Sequence, residues 1–335
     1  MTDTSQRPRE LLVKAARMYF LDSRTQDDIA RVLGTSRSNV SRLISSARAS
    51  GMVEIRIRDE RGRDGDLEQA LAERFGLATV RVAAFQPHQD ARADAGALAA
   101  EWLDDTLRDG QVLALSWGRT VAAVVSAVVV DEPRRLEIVP LVGGMQSDNP
   151  LATAHELVRE LAGRLGATYR HLHAPALLRS APARTALLAE PSIAHVVARA
   201  RAADVALVGI GAVGSGSTLR ILDALGLTAA ERVDFVARNP VGDTCCRFFD
   251  ADGAPVGGAV HDRVLGVDLD DLRRIPTVVG VATGIEKTDS VLAALRAGIV
   301  GGLVTDAGLA HSLLGAGGAV GAGAIPTSWG RPAAP

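Results

Sequence analysis

Seven short apolar runs, most of them leading through a loop into a helical pattern, do most to limit what this chain can fold into. The runs are Thr79–Ala83, Gln111–Leu115, Glu137–Val142, Thr168–Leu172, Val205–Ile210, Thr277–Val281 and Gly302–Val304. Several are continuous β-branched or Leu stretches, the mark of strands covered on both faces. Helical patterns lie between them at Ala91–Leu107, Val121–Val130, Ala152–Leu165, Ser192–Ala202, Leu219–Leu225, Asp289–Ala297 and Leu309–Leu314. This alternation predicts a doubly wound α/β body with a mostly parallel sheet over residues 67–314. At 335 residues the chain has room for a second domain ahead of that body.

The segment Gln26–Ser45, QDDIARVLGTSRSNVSRLIS, reads as a helix-turn-helix. Thr25 with Asp28 three residues on is a capped helix start, and Asp27 and Asp28 complement the dipole of the first turn. Ile29 and Leu33 share one buried stripe with the small Ala30 beside them. Gly34 falls where the turn needs a positive φ. Ser36 is placed to cap a second helix whose buried stripe is Val40, Leu43 and Ala47. The other face offers Ser36, Arg37, Ser38, Asn39, Ser41 and Arg42 for DNA binding. It is short, polar and basic, as a helix in a major groove requires, and Arg37, Asn39 and Arg42 suit base edges. A capped helix, a glycine and a second helix also occur in enzymes; the lack of any long apolar residue on that face favours DNA. A helix from about Arg9 to Phe20 supplies Leu12, Ala16 and Tyr19 to a three-helix core. Met52–Arg58, MVEIRIR, alternates like a wing. Residues 1–58 are therefore expected to be an all-α winged helix-turn-helix head. Asp59–Asp66 reads as a charged linker, and 315–335, rich in Gly, Ala and Pro, as a flexible tail.

Charge is unevenly distributed. Residues 1–58 hold 11 Lys and Arg against 6 Asp and Glu, and the remainder 26 against 33, so a basic head precedes an acidic body. Arginine placement matters more than arginine number here, because only Lys14 and Lys287 are lysines. Cys245 and Cys246 are adjacent, offer no useful disulfide framework, and fit small core positions in a reducing cytoplasm. The N-terminal ten residues lack an apolar signal region. The longest apolar stretch, Val121–Val130, is half of the roughly 20 residues a membrane span needs. The expectation is a cytoplasmic protein with no membrane partner.

In a doubly wound sheet, ligands bind beyond the carboxyl ends of the strands. Four loops there are unusual. Leu115–Thr120, LSWGRT, brings Ser116, Gly118, Arg119 and Thr120 to a helix start, where free N–H groups cradle anions. Leu141–Met145 contributes Gly144, and Val208–Ser217 contributes Gly211. Val281–Thr288 delivers Lys287, the only lysine outside the head. A glycine after a strand is usually a tight turn, so each loop alone is weak. The topology gathers all four on one edge, and a phosphorylated small molecule is the natural ligand. No Walker-type phosphate loop or dinucleotide fingerprint is present, and no cofactor is expected.

The segments SWGRT (116–120), PLVGG (140–144), HELVRELAGRLGA (155–167), ADVALVGIG (203–211), VGDTCCRFFDADG (241–253) and EKTDSVLAALRAG (286–298) together resemble SorC-type sugar-binding transcriptional regulators. The head is similar to theirs as well. The resemblance implies a body related to sugar-phosphate isomerases but used as a sensor of phosphorylated sugars or polyols. It also implies homo-oligomers, dimers or tetramers, that bind operator DNA. By position it implies that Ser116, Gly118 and Thr120 cradle phosphate. Gly242 and Asp243 belong to a loop that closes on the sugar, and Lys287 lies near the phosphate. The sequence departs from the family pattern at Pro240, Cys246, Thr283 and Ala307.

An isomerase fused to a DNA-binding head is the competing reading. Proton transfer needs a carboxylate and usually a histidine, yet Gly211–Thr218, GAVGSGST, holds neither; no catalytic residue is assigned. His171 and His173 share a strand face, but no third ligand is evident, so no metal is expected.

Overall fold

The computed structural model describes residues 6–50, 52–53, 62–85, 90–130, 132–145, 153–214 and 216–316. It divides into two compact units, Met1–Glu60 and Arg61–Pro335.

The first unit is three helices, α1 (Gln6–Phe20), α2 (Gln26–Leu33) and α3 (Arg37–Ala49). The Thr25 hydroxyl accepts the Asp28 N–H at 3.2 Å, and Gly34 ends α2 with φ at 64°. The Ser36 hydroxyl accepts the Asn39 N–H at 3.2 Å and starts α3. The core is Ala15, Met18, Ile29, Ala30, Val40 and Ile44, with Ala16 and Ala47 also buried. Leu12, Tyr19, Leu33 and Leu43, expected in the core, are only half-buried. Alanines fill much of the centre, so the helices approach closely and the longer side chains reach out to the rim. The expected wing lies, from residue 54 on, outside the described residues.

The second unit begins earlier than the charge pattern suggested. Asp64 caps α4 (Gly65–Phe75), accepting the Leu67 N–H at 3.1 Å. Arg63 bridges to Ala83, and the Ala84 N–H donates to the Gly62 carbonyl at 3.0 Å. The second half of the expected linker, 62–66, is thus body; its charges serve as a cap and an ion pair, Arg63 donating to Glu68.

From there strands and helices alternate. β1 (Thr79–Ala83) is followed by α5 (Ala91–Thr106), β2 (Val112–Leu115) by α6 (Arg119–Ala127), and β3 (Glu137–Pro140) by α7 (Ala154–Leu165). The short β4 (Thr168–Tyr169) leads to α8 (Ala181–Ala189), α9 (Pro191–Arg201) and then β5 (Val205–Gly209). A small sheet comes next: β6 (Gly211–Ala212), then α10 (Gly216–Leu225) and α11 (Ala229–Ala237), then β7 (Gly242–Thr244) and β8 (Arg247–Phe249). α12 (Ala259–Asp262) and α13 (Leu269–Arg274) return to β9 (Thr277–Val281), α14 (Thr288–Arg296), β10 (Gly302–Asp306) and α15 (Ala307–Gly315).

Seven strands form one sheet in the order β1-β10-β9-β5-β2-β3-β4, every pair parallel. Its two faces follow the two-residue period of a strand. Val112 and Ala114 pack on one side, while Leu113 and Leu115 pack on the other. Helices α4, α14 and α15 cover the first face, and α5, α6 and α7 the second. The expected strand Thr168–Leu172 pairs only through Thr168 and Tyr169, against Glu137 and Ile138. Beyond Ala316, the expected tail lies outside the described residues.

The antiparallel sheet β6-β7-β8 is an addition to the expected scheme. Its strands have two or three residues, too few for any period to register. The turn joining β7 to β8 is Cys245–Cys246, with φ at 51° and 60°. Positive φ at both central residues is the requirement of a two-residue hairpin turn, usually met by Asn-Gly. Here two cysteines meet it.

Candidate functional site

The chain leaves β2 toward β3 and β4, and leaves β5 toward β9, β10 and β1, while β2 and β5 are neighbours. Loops after these two strands therefore diverge and open a crevice, where doubly wound proteins bind ligands. A cavity of about 90 Å³ lies there, lined by the loops after β2, β5 and β9 together with Arg92 and Asp243.

Ser116 is buried, and its hydroxyl accepts the Gly209 N–H at 3.0 Å, bolting the β2 loop to the end of β5. The loop then presents Trp117, Gly118, Arg119 and Thr120 to the cavity, with α6 starting at Arg119. The Gly118 N-cap makes no side-chain cap bond, and the first-turn N–H groups of a helix lack intrahelical partners. From the β5 loop come Gly209, Ile210 and Gly211. Gly211 pairs with Asp243 across β6 and β7. A Cβ on Gly211 would stand 2.2 Å from an Asp243 carboxylate oxygen, so only glycine permits this approach.

Asp243 is 6% exposed. Burial pushes its carboxyl up to about 6, against the opposing pull of the Thr218 hydroxyl, the Lys287 charge and the Cys246 amide. Thr218 donates to the carboxylate at 2.9 Å. The loop after β9 brings Thr283, Glu286 and Lys287. It is pinned by the Gly284 N–H, which donates to Asp306 at 2.7 Å. Asp306 also caps α15 through the Leu309 N–H at 3.0 Å. Lys287 is half-buried. Burial lowers the pKa of its ammonium, Arg92 and Arg119 push the same way, and Glu286 and Asp243 oppose them. Cys245 touches the cavity, and burial raises its thiol to about 12, which keeps it inert.

Of the expected effector residues, Gly118, Arg119, Thr120, Gly211, Asp243 and Lys287 line this cavity. Ser116 lies behind it as the bolt just described. Gly242 is a strand residue of β7 whose Cβ would stand 2.5 Å from that of Ser290. Gly144 packs on His155, its amide donating to the Ala174 carbonyl at 2.9 Å. Sequence reading did not select Arg92, Trp117, Ile221 or Glu286. Trp117 and Glu286 sit inside quoted motifs, whereas Arg92 lies at the start of the preceding helix, α5, and carried no signal.

On α3, Ser36, Arg37, Ser38, Ser41 and Arg42 are exposed and Asn39 is half-buried. Ser36 uses its hydroxyl as the cap. Asn39 donates to the Thr35 hydroxyl at 2.9 Å, and Arg37 stands 3.9 Å from Asp27. His171 and His173 stack with centroids 5.3 Å apart, and His155 lies 6.0 Å from His171. The His155 Nε2 meets the Leu172 carbonyl at 2.6 Å. Among the described residues no group of three or more ligating side chains could hold a metal. Within the same residues, no helix is long and apolar enough to cross a membrane.

The chain thus comprises a three-helix unit and a parallel α/β unit with a charged cleft at its switch point. Residues 60–315 match the model of the sugar-binding domain family. Over 309 residues the chain is 34% identical to the transcriptional regulator LsrR of Enterobacter sp. (strain 638), covering 91% of this chain and 93% of that one. It is 29% identical to the deoxyribonucleoside regulator of Bacillus subtilis, with 91% and 97% covered. The crystal structure of the full-length sorbitol operon regulator SorC from Klebsiella pneumoniae superposes with a TM-score of 0.72. Identity there is 30%, over 94% of this chain and all of that one. The chain belongs to the SorC-type family of sugar-binding transcriptional regulators. These relatives are named as regulators, not as enzymes.

Proposed function

We propose that this protein controls carbohydrate or polyol genes by binding operator DNA in a manner set by a phosphorylated sugar or polyol. One observation carries the ligand reading. Arg92, Arg119 and Lys287 meet in a single cleft, at the start of α6 and beside one buried carboxylate. Helix starts and cations suit a phosphate, and Asp243 suits a hydroxyl. In this reading Gly118, Arg119, Thr120 and Lys287 hold the phosphate end, and Asp243 accepts from the organic part.

The head supplies the output. Arg37, Ser38, Ser41 and Arg42 on α3 meet DNA in the major groove, with Asn39 available to adenine once it releases Thr35. The body assembles into a dimer or tetramer that sets two heads at the spacing of operator half-sites, in the cytoplasm. The effector acts by binding one arrangement of the heads more tightly. A preference of about 1.4 kcal/mol changes operator affinity about tenfold.

The test is a thermal-shift panel of phosphorylated sugars and polyols beside their unphosphorylated counterparts, on the full chain and on Lys287→Ala. Only phosphorylated compounds should raise the melting temperature, and Lys287→Ala should abolish the rise while leaving operator binding intact. An equal response to unphosphorylated compounds, or turnover of a hit, counts against the proposal.

A further inference from the structure

The three cations of the cleft differ from many arginines of the body. Arg134, Arg164, Arg199, Arg201 and Arg263 each reach a carboxylate. Among the described residues, no ion pair within 4.0 Å is formed by Arg92, Arg119 or Lys287. Two carboxyl groups line the same cavity, Asp243 and Glu286. The first is engaged by Thr218, and the second is solvent-exposed. The cavity thus gathers three cations with no close ion pair among the described residues, while Glu286 and Asp243 act on Lys287 through charge alone.

Arg92 reaches the cleft by packing. It lies in the first turn of α5, where Asp90 accepts its backbone N–H at 3.0 Å. Helix α5 crosses α6 at Gly96, whose Cβ, if present, would stand 2.8 Å from the carbonyl carbon of Ala123. On the α5 side no side chain stands at this point, and on the α6 side only the Ala123 methyl does. The crossing therefore fixes the start of α5 against the start of α6, and with it Arg92 beside Arg119.

We propose that Arg92 is a charge-selecting residue of the cleft, the third cation that makes the site prefer a dianionic phosphate monoester to a monoanion. This rests on the phosphate reading of the cleft. Two cations and helix N–H groups suffice to hold one negative charge. A third cation adds most when the ligand carries a second charge for it to meet. A phosphodiester, whose second oxygen is capped, gains little from it. The selected class is a terminal phosphate monoester.

The probes are methyl phosphate and dimethyl phosphate at about pH 8, where the first is a dianion and the second a monoanion. Binding to the full chain is followed by phosphorus NMR line broadening, which registers weak association. Wild type should prefer methyl phosphate by about tenfold or more, the scale of one charge-assisted hydrogen bond. Arg92→Gln should remove most of that preference, and Arg92→Lys should restore part of it. If Lys287→Ala weakens methyl phosphate binding but Arg92→Gln leaves the preference unchanged, the role of Arg92 falls and the phosphate site stands. If Lys287→Ala has no effect, or wild type binds neither probe, the phosphate reading falls and the Arg92 proposal with it.

Discussion

On α3 in the head, Arg37 and Arg42 stand in water, the Arg37 side chain 70% exposed. In the body, Arg92, Arg119 and Lys287 converge on one cavity. The residue types match; what differs is how position is imposed. The head sets its cations by local spacing along one capped helix. The body sets its own through sheet order, a glycine crossing between helices and three loops from distant strands. An exposed cation on one helix face is accessible to phosphate or base edges. The half-buried Lys287 has its proton affinity lowered by burial and by its neighbours Arg92 and Arg119.

The sharpest break in this comparison is expected at Asp243. Its folded carboxyl, at about 6, lies above its ordinary value. The folded protein therefore holds that proton more tightly than the unfolded chain. The resulting stability is complete below the ordinary value and is lost as pH rises through about 6. Asp243→Asn cannot ionise and escapes this loss. Its stability relative to wild type should rise by at most about 3 kcal/mol between about pH 4 and pH 7, read by urea unfolding. A flat difference would mean the carboxylate is better solvated than its burial implies.

Gly96→Ala comes next. Its Cβ would press on the Ala123 backbone, which is not the flexible end of a side chain, and should destabilise the body by about 2 kcal/mol. Denaturant unfolding measures that loss, and operator contacts by the head should not be its cause. Unchanged stability would show that the α5–α6 crossing relaxes freely.

The smallest expected effect is in the head. Arg42→Ala should weaken specific operator binding about tenfold, the lower range for loss of a base contact, in a mobility-shift titration at fixed salt. Its thermal response to a phosphorylated ligand should match wild type. Unchanged operator affinity would remove Arg42 from the DNA face.

Legibility in the sequence follows the same division. Caps at Thr25 and Ser36 and the turn at Gly34 depend on neighbours in the chain, so the first unit's helices could be read directly. Most of the seven strands could also be read, because burial on both faces leaves a continuous apolar run, as in β2 and β5; β4, with both residues exposed, kept only two of its five expected positions. What escaped was short or nonlocal. The Thr228–Glu231 and Asp268–Asp271 capping boxes did mark α11 and α13, but no long apolar stripe drew attention to them. Strands β6 to β8 are too brief to show a period. In the site, Asp243 and Lys287 lay in recognisable segments, whereas Arg92 depends on a helix crossing that no local pattern encodes. Gly144 and Gly242 look like ligand-loop glycines in sequence, yet each makes room for a neighbouring side chain.

The attachment at Gly62 and Asp64 has a mechanical consequence. The Asp64 N–H donates to the Val82 carbonyl at 3.0 Å, and the Ala84 N–H donates to Gly62. Glu68, while paired with Arg63, also accepts the Val82 N–H at 3.0 Å. The chain arriving from the head is thereby stitched to the end of β1, the strand whose exit leads to α5 and Arg92. One edge strand thus receives the first described residues of the body through a few backbone bonds and precedes, in the chain, the helix that carries a cation of the cleft.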